Sequence, residues 1–131
     1  MNFVNGRDET VHLERGESFG IPAHIYQCLA QAAISANELA GIEPVLLEPL
    51  ESGKPGALCC LYGKQYSFSI LIECANVPHV VVLSMVGLDD FIPPEAVVEG
   101  HADSLDVWRA IVALMLQAEG FVGATLDETE Q

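Results

Sequence analysis

Basic residues are what this sequence has least of. Five lysines and arginines stand against 19 aspartates and glutamates, a formal net charge of −14 over 131 residues. Phosphate backbones and anionic membrane surfaces would be repelled, and no basic cluster offers local relief, so nucleic acid is excluded as a partner. Long hydrophobic runs are missing too: none reaches the roughly 18 residues of a membrane span, which excludes membrane insertion. The opening "MNFVNGRDETVHLERG" has no apolar segment of the kind a signal peptide carries. Cys28, Cys59, Cys60 and Cys74 form no C-x-x-C pair, and the adjacent Cys59 and Cys60 point to opposite faces of a strand. Four free thiols in a reducing, cytoplasmic compartment are expected, with no disulfide.

Catalytic signatures are likewise scarce. His12, His24, His79 and His101 are widely spaced, with no H-x-x-x-H or H-E-x-x-H pattern to set two ligands on one helix face. Asp89 and Asp90 are neighbours whose side chains diverge in a turn context. Ser67 and Ser69 lack the sharp G-x-S-x-G turn that exposes a nucleophile. Gly120 and Gly123 are too few for a phosphate cradle. No catalytic residue, metal ligand or cofactor is expected.

Half of the residues are hydrophobic, which is enough for one real core in a chain of this length. Residues 1–20 form a polar, turn-rich extension with a short strand at "TVHLER", and 121–131 form an acidic tail. Between Pro22, placed to start a helix, and Gly41, placed to end one, Ile25, Leu29, Ala32, Ala36 and Leu39 recur at steps of four and three, predicting a helix over Pro22–Ala40. Strands follow at "PVLLEPL", "ALCCLY", "QYSFSILIEC" and "HVVVLSMVG". The turn "YGKQ" reads as a tight hairpin in which Gly63 supplies a positive φ. In the third strand Tyr66, Phe68, Ile70, Ile72 and Cys74 share one face, with Ser67, Ser69, Leu71 and Glu73 on the other. The fourth is apolar on both faces and should be covered on both. "LDDFIPPEAVVEGHAD" reads as an irregular connection, and Asp103 or Ser104 caps a second helix, Leu105–Glu119, ended by Gly120. The layout is α+β: helix, three- to four-stranded antiparallel sheet, helix.

The second helix poses the main question, because it has almost no polar face. Trp108, Ile111, Val112, Met115 and Ala118 form one stripe, and Leu105, Val107, Ala110 and Leu114 widen it. Either it is a central core helix, or one side meets its own sheet and the other a second protomer. The second arrangement is expected, with a homodimer seam made of Leu105, Trp108, Ile111, Val112 and Met115.

This pattern resembles the class I type III secretion chaperones of Gram-negative bacteria, in particular effector chaperones of plant pathogens. "IYQCLAQAAISANELAGIEP" looks like the family's first helix, "ALCCLYGKQYSFSILIE" is similar to its central hairpin, and "WRAIVALMLQAEGFVGATLDE" looks like its dimer helix. The resemblance spans roughly residues 22 to 128. It departs in having about twenty residues before the first helix, and in stopping at "DETEQ" where many members continue. The resemblance implies an acidic, cytoplasmic, bacterial homodimer that performs no reaction and uses no cofactor. Such a protein binds the N-terminal segment of a cognate secreted effector in extended form, keeping it soluble and export-competent for virulence.

Strand alternation suggests where such a guest would lie: Val45 and Leu47, sharing one face near the sheet edge, with Leu71, forming a shallow groove. The alternative is that these residues pack beneath other parts of the chain. Two other functions fit the composition. An acidic immunity or antitoxin protein would inhibit a toxin by direct binding through charge complementarity. A small α+β enzyme would require polar side chains clustered in a pocket.

Overall fold

The structure is a computed structural model that describes the backbone of residues 2–4 and 10–12, and residues 19–89 and 95–120 in full. The rest of the polar extension and the acidic tail 121–131 expected from the sequence lie outside the described residues. The element order is β1 (Asn2–Val4), β2 (Thr10–His12), α1 (Ala23–Ala40), β3 (Glu43–Pro49), β4 (Gly56–Tyr62), β5 (Tyr66–Glu73), β6 (Val80–Gly87), β7 (Glu95–His101) and α2 (Leu105–Ala118). Strands β3 to β7 form one antiparallel sheet in sequence order, so every connection joins neighbouring strands. β1 and β2 pair separately, and β1 lies close to β3. The α+β layout expected from the sequence is present, with five strands in the main sheet instead of three or four.

The additional strand is β7, which lies in the segment read as an irregular connection. It is an edge strand whose outward residues meet solvent, so "EAVVEGH" needs little apolar content and shows no clean alternation. Both edge strands carry a register break. On β3 it falls between Pro44 and Leu46 and leaves Val45 without a cross-strand partner; on β7 the partners of Leu83 and Ser84 are Val98 and Ala96, leaving Val97 unpaired. Bulges of this kind blunt a sheet edge against pairing with another chain.

α1 begins after Pro22 and ends at Gly41, whose φ of 67° lets the Gly41 and Ile42 N–H groups close onto the Asn37 and Ala36 carbonyls. Its buried face is Ile25, Tyr26, Leu29, Ala32, Ala33 and Ala36. Leu39, expected in the stripe, is 53 % exposed, because the buried face runs on through Ala33, Ala36 and Ala40 and leaves Leu39 at its margin. Ser104 stands at the N-cap of α2 without a side-chain cap bond, and Asp103 is engaged elsewhere, by His24. Trp108 anchors this end instead, its indole N–H donating to the Ala102 carbonyl at 2.8 Å.

Both helices pack on the same side of the sheet. One core joins the α1 residues and Leu47, Ala57, Cys59, Leu61, Phe68, Ile70, Ile72, Val81 and Leu83 to Trp108, Ile111, Val112, Met115 and Leu116 of α2. α2 is therefore covered on its second side by α1 and on its first by the sheet. A close approach marks the sheet contact, where the Val107 side chain fills the space that a Cβ on Gly100 would take.

Candidate binding face

Strand pairing sorts the sheet residues into cross-strand rows, and each row belongs to one face. Leu47, Cys59, Ile70, Leu83 and Val98 form a row toward the helices. The next row, one residue along, faces away from them: Glu48, Leu58, Leu71, Val82 and Glu99. Beside it on that same outer face run Leu46, Cys60, Ser69, Ser84 and Ala96, then Tyr62, Ser67 and Val86. The Cys60 Sγ lies 4.0 Å from the Ser69 Oγ, as neighbours in one such row should.

None of the described helices covers this outer face. β6 was expected to be covered on both sides; among the described residues only the side bearing Val81 and Leu83 is. Val80, Val82 and Val86 are half-buried, each with a cross-strand neighbour on β5, and Val80 and Val82 with one on β7 as well. Leu58 and Leu71 are half-buried in the same way, while Tyr62 is 50 % exposed. The central row thus carries three apolar side chains across the middle strands and a glutamate on each edge strand. None of the residues in these three rows is a lysine or arginine.

The sequence-predicted groove is partly reassembled by this geometry. Leu71 lies on the outer face as expected. Leu47 does not: it is fully buried in the core beneath the helices. Val45 is 41 % exposed, and the bulge beside it breaks the alternation that would have placed it with Leu47. The missed residues are Leu58, Val82, Glu48 and Glu99. They lie on four different strands, and only the strand order and register bring them into one row.

The residues named for a dimer seam divide similarly. Trp108, Ile111, Val112 and Met115 are buried within the single chain, and Leu105 alone is exposed, at 61 %. Leu105 lines, with Cys28, Ala32, Trp108, Arg109 and Val112, an apolar groove of about 220 Å³ between α1 and α2.

At one end of the sheet His24 of α1 donates to the Asp103 carboxylate, and this bond, with the nearby His24, His79 and His101, holds the Asp103 carboxyl below its ordinary range. At the other end Glu119 clamps the β4–β5 hairpin, its carboxylate accepting from the backbone N–H groups of Lys64 at 2.7 Å and Tyr66 at 2.9 Å, with Gln65 also bound. All four cysteines are free. Burial pushes the Cys59 thiol far up; that of Cys60 is raised by partial burial and, more weakly, by Glu48 across the outer face, against the lowering bond from Ser69. No group of His, Cys, Asp and Glu among the described residues could hold a metal ion, and no helix there is long and apolar enough to cross a membrane.

Comparison of the chain with protein-family models, with curated proteins and with solved structures finds no match in any of the three.

Proposed function

We propose that this protein is a non-enzymatic binding protein that holds an apolar segment of a partner protein, in the manner of a bacterial cytoplasmic secretion chaperone whose client is the N-terminal segment of an effector. The observation that carries this reading is the outer face of the sheet, where Leu58, Leu71 and Val82 lie side by side between Glu48 and Glu99 with no described helix over them. A surface of this kind offers hydrophobic burial in the centre and charge selection at the border. The large negative charge keeps such a host soluble while the face is unoccupied.

The site is the face and not the edges. β3 carries Pro44, Pro49 and the break at Val45, and β7 the break at Val97, so neither edge offers an uninterrupted row of backbone groups to an added strand. A homodimer is not needed to bury α2, and the reading does not depend on one.

Co-purification with the products of adjacent genes, followed by limited proteolysis and thiol alkylation, tests the proposal. The expected result is a short protected segment of an otherwise cleavable partner, with Cys60 on the outer face shielded and Cys28 in the helix groove still reactive. A partner protected as a whole folded domain would favour the toxin-inhibitor reading instead. A complex in which Cys60 reacts as fast as in the free protein would remove the face from the function.

A further inference from the structure

An outer face that binds a segment also selects its conformation and chemistry. We infer that its occupant is an amphipathic α-helix with lysines or arginines on both flanks of its apolar stripe, lying along β5. This rests on the proposed function and names the class of partner.

Glu48 and Glu99 stand on the two edge strands of one row, four strand spacings apart, roughly 19 Å at about 4.8 Å per strand. An α-helix with its side chains is about 10–12 Å wide. Centred on β5, it would cover Leu58, Leu71 and Val82 and leave each glutamate just beyond its own flank, within reach of a long basic side chain. The strip is narrow for a folded partner, which commonly buries about 800 Å² per side.

The face also has relief. Along β5 the outward residues Ser67 and Ser69 are small, while Tyr62 on β4, Val86 on β6 and, further out, Leu46 on β3 stand to either side. Small residues beneath an approaching helix let it come close, and larger ones beside it fix its line.

Within the sheet the ladder between β4, β5 and β6 already uses the main-chain groups of the central strands. An extended guest lying on the face would find no backbone partner there, whereas a helix satisfies its own. Charge then selects among helices. A second copy of this chain would set glutamate against glutamate, and a chain with net charge −14 repels itself generally. A cationic flank on each side meets both Glu48 and Glu99.

Fluorescence anisotropy with a synthetic 15-residue peptide tests the inference. The probe carries leucines at i, i+3, i+4 and i+7 with arginines bordering that stripe; one control has the same composition scrambled, and another is interrupted by proline so that it cannot form a helix. The helical probe is expected to bind the full-length protein at least about tenfold more tightly than either control, gain helical circular dichroism on binding, and shield Cys60 but not Cys28 from alkylation. Glu48→Gln with Glu99→Gln should weaken it about tenfold and flatten its salt dependence, and Leu71→Asp should abolish binding. Equal binding of the scrambled peptide, or no effect of the glutamate pair, overturns the inference. If the proline-interrupted peptide binds as well and shields Cys60, the helix is wrong while segment binding stands. If no peptide and no co-purified partner shields Cys60, segment binding falls as well. Sedimentation showing a dimer that Leu71→Asp dissociates would assign the face to a second copy and overturn the inference.

Discussion

The carboxylate of Glu119, just past the end of α2, sits in the space that a Cβ on Gly63 would occupy. From there it accepts hydrogen bonds from the backbone N–H groups of Lys64, Gln65 and Tyr66, tying the helix C-terminus to the β4–β5 hairpin. Gly63 is not among the positive-φ glycines, so its role here is the absence of a side chain and not a left-handed turn. Gly63→Ala should push the Glu119 side chain away and leave three turn N–H groups to water. Losing a charge-assisted clamp at a partly exposed site costs roughly 1–2 kcal/mol. Urea denaturation of Gly63→Ala and Glu119→Ala should give similar losses, and the double variant little more than either alone; additive losses would show that the two residues act separately.

Met115 is fully buried between α1, α2 and the sheet. Met115→Glu places an unpaired carboxylate in that core and should cost about 3–5 kcal/mol, enough to unfold a domain of ordinary stability. Loss of the cooperative thermal transition in circular dichroism is the expected readout. A folded Met115→Glu monomer replacing a wild-type dimer would instead return Met115 to an interface.

Leu47 and Leu71 separate the core from the outer face. Leu47→Ala should lower stability by about 2–5 kcal/mol, as for other fully buried leucines. Leu71→Asp, on the outer face, should leave the melting temperature within a few degrees of wild type. Calorimetry of the two variants checks the assignment, and a reversed order would place the core on the other side of the sheet.

The thiols should react in the order of their exposure. Cys59 is fully buried with its pKa well raised, so it should resist alkylation until the protein unfolds. Cys28 and Cys60 are partly exposed and raised less, Cys28 mainly by burial and then by Asp103. They should be modified first, more slowly than a free thiol. Mass spectrometry over a time course of iodoacetamide treatment reads this directly.

Asp103 contributes an acid-sensitive link between the N-termini of α1 and α2. Its carboxyl is held below the ordinary 3.8, first by the His24 hydrogen bond. The folded pKa is depressed, so the stabilisation is present above about pH 3.8 and is lost as pH falls through the folded value. Asp103→Asn should therefore flatten the dependence of the urea midpoint on pH below 4 and weaken its sensitivity to salt. Both side chains are more than half exposed, so the effect should be small.

The helices, the central hairpin and the α+β class were legible in the sequence because each depends on local periodicity and punctuation. The stripe Ile25, Leu29, Ala32 and Ala36 and the glycine at 41 determine α1, and alternation from Tyr66 to Cys74 determines which side of β5 is buried. β7 was not legible, since an edge strand with one solvated face needs no apolar alternation. Three features were decided only by tertiary structure: the covering of α2 by α1, the break that separates Val45 from Leu47, and the row from Glu48 to Glu99. Each depends on which distant residues become neighbours, and a one-residue shift in strand register sends a side chain to the opposite face. An apolar helix in a sequence announces that it must be covered; only the packing of the whole chain says by what.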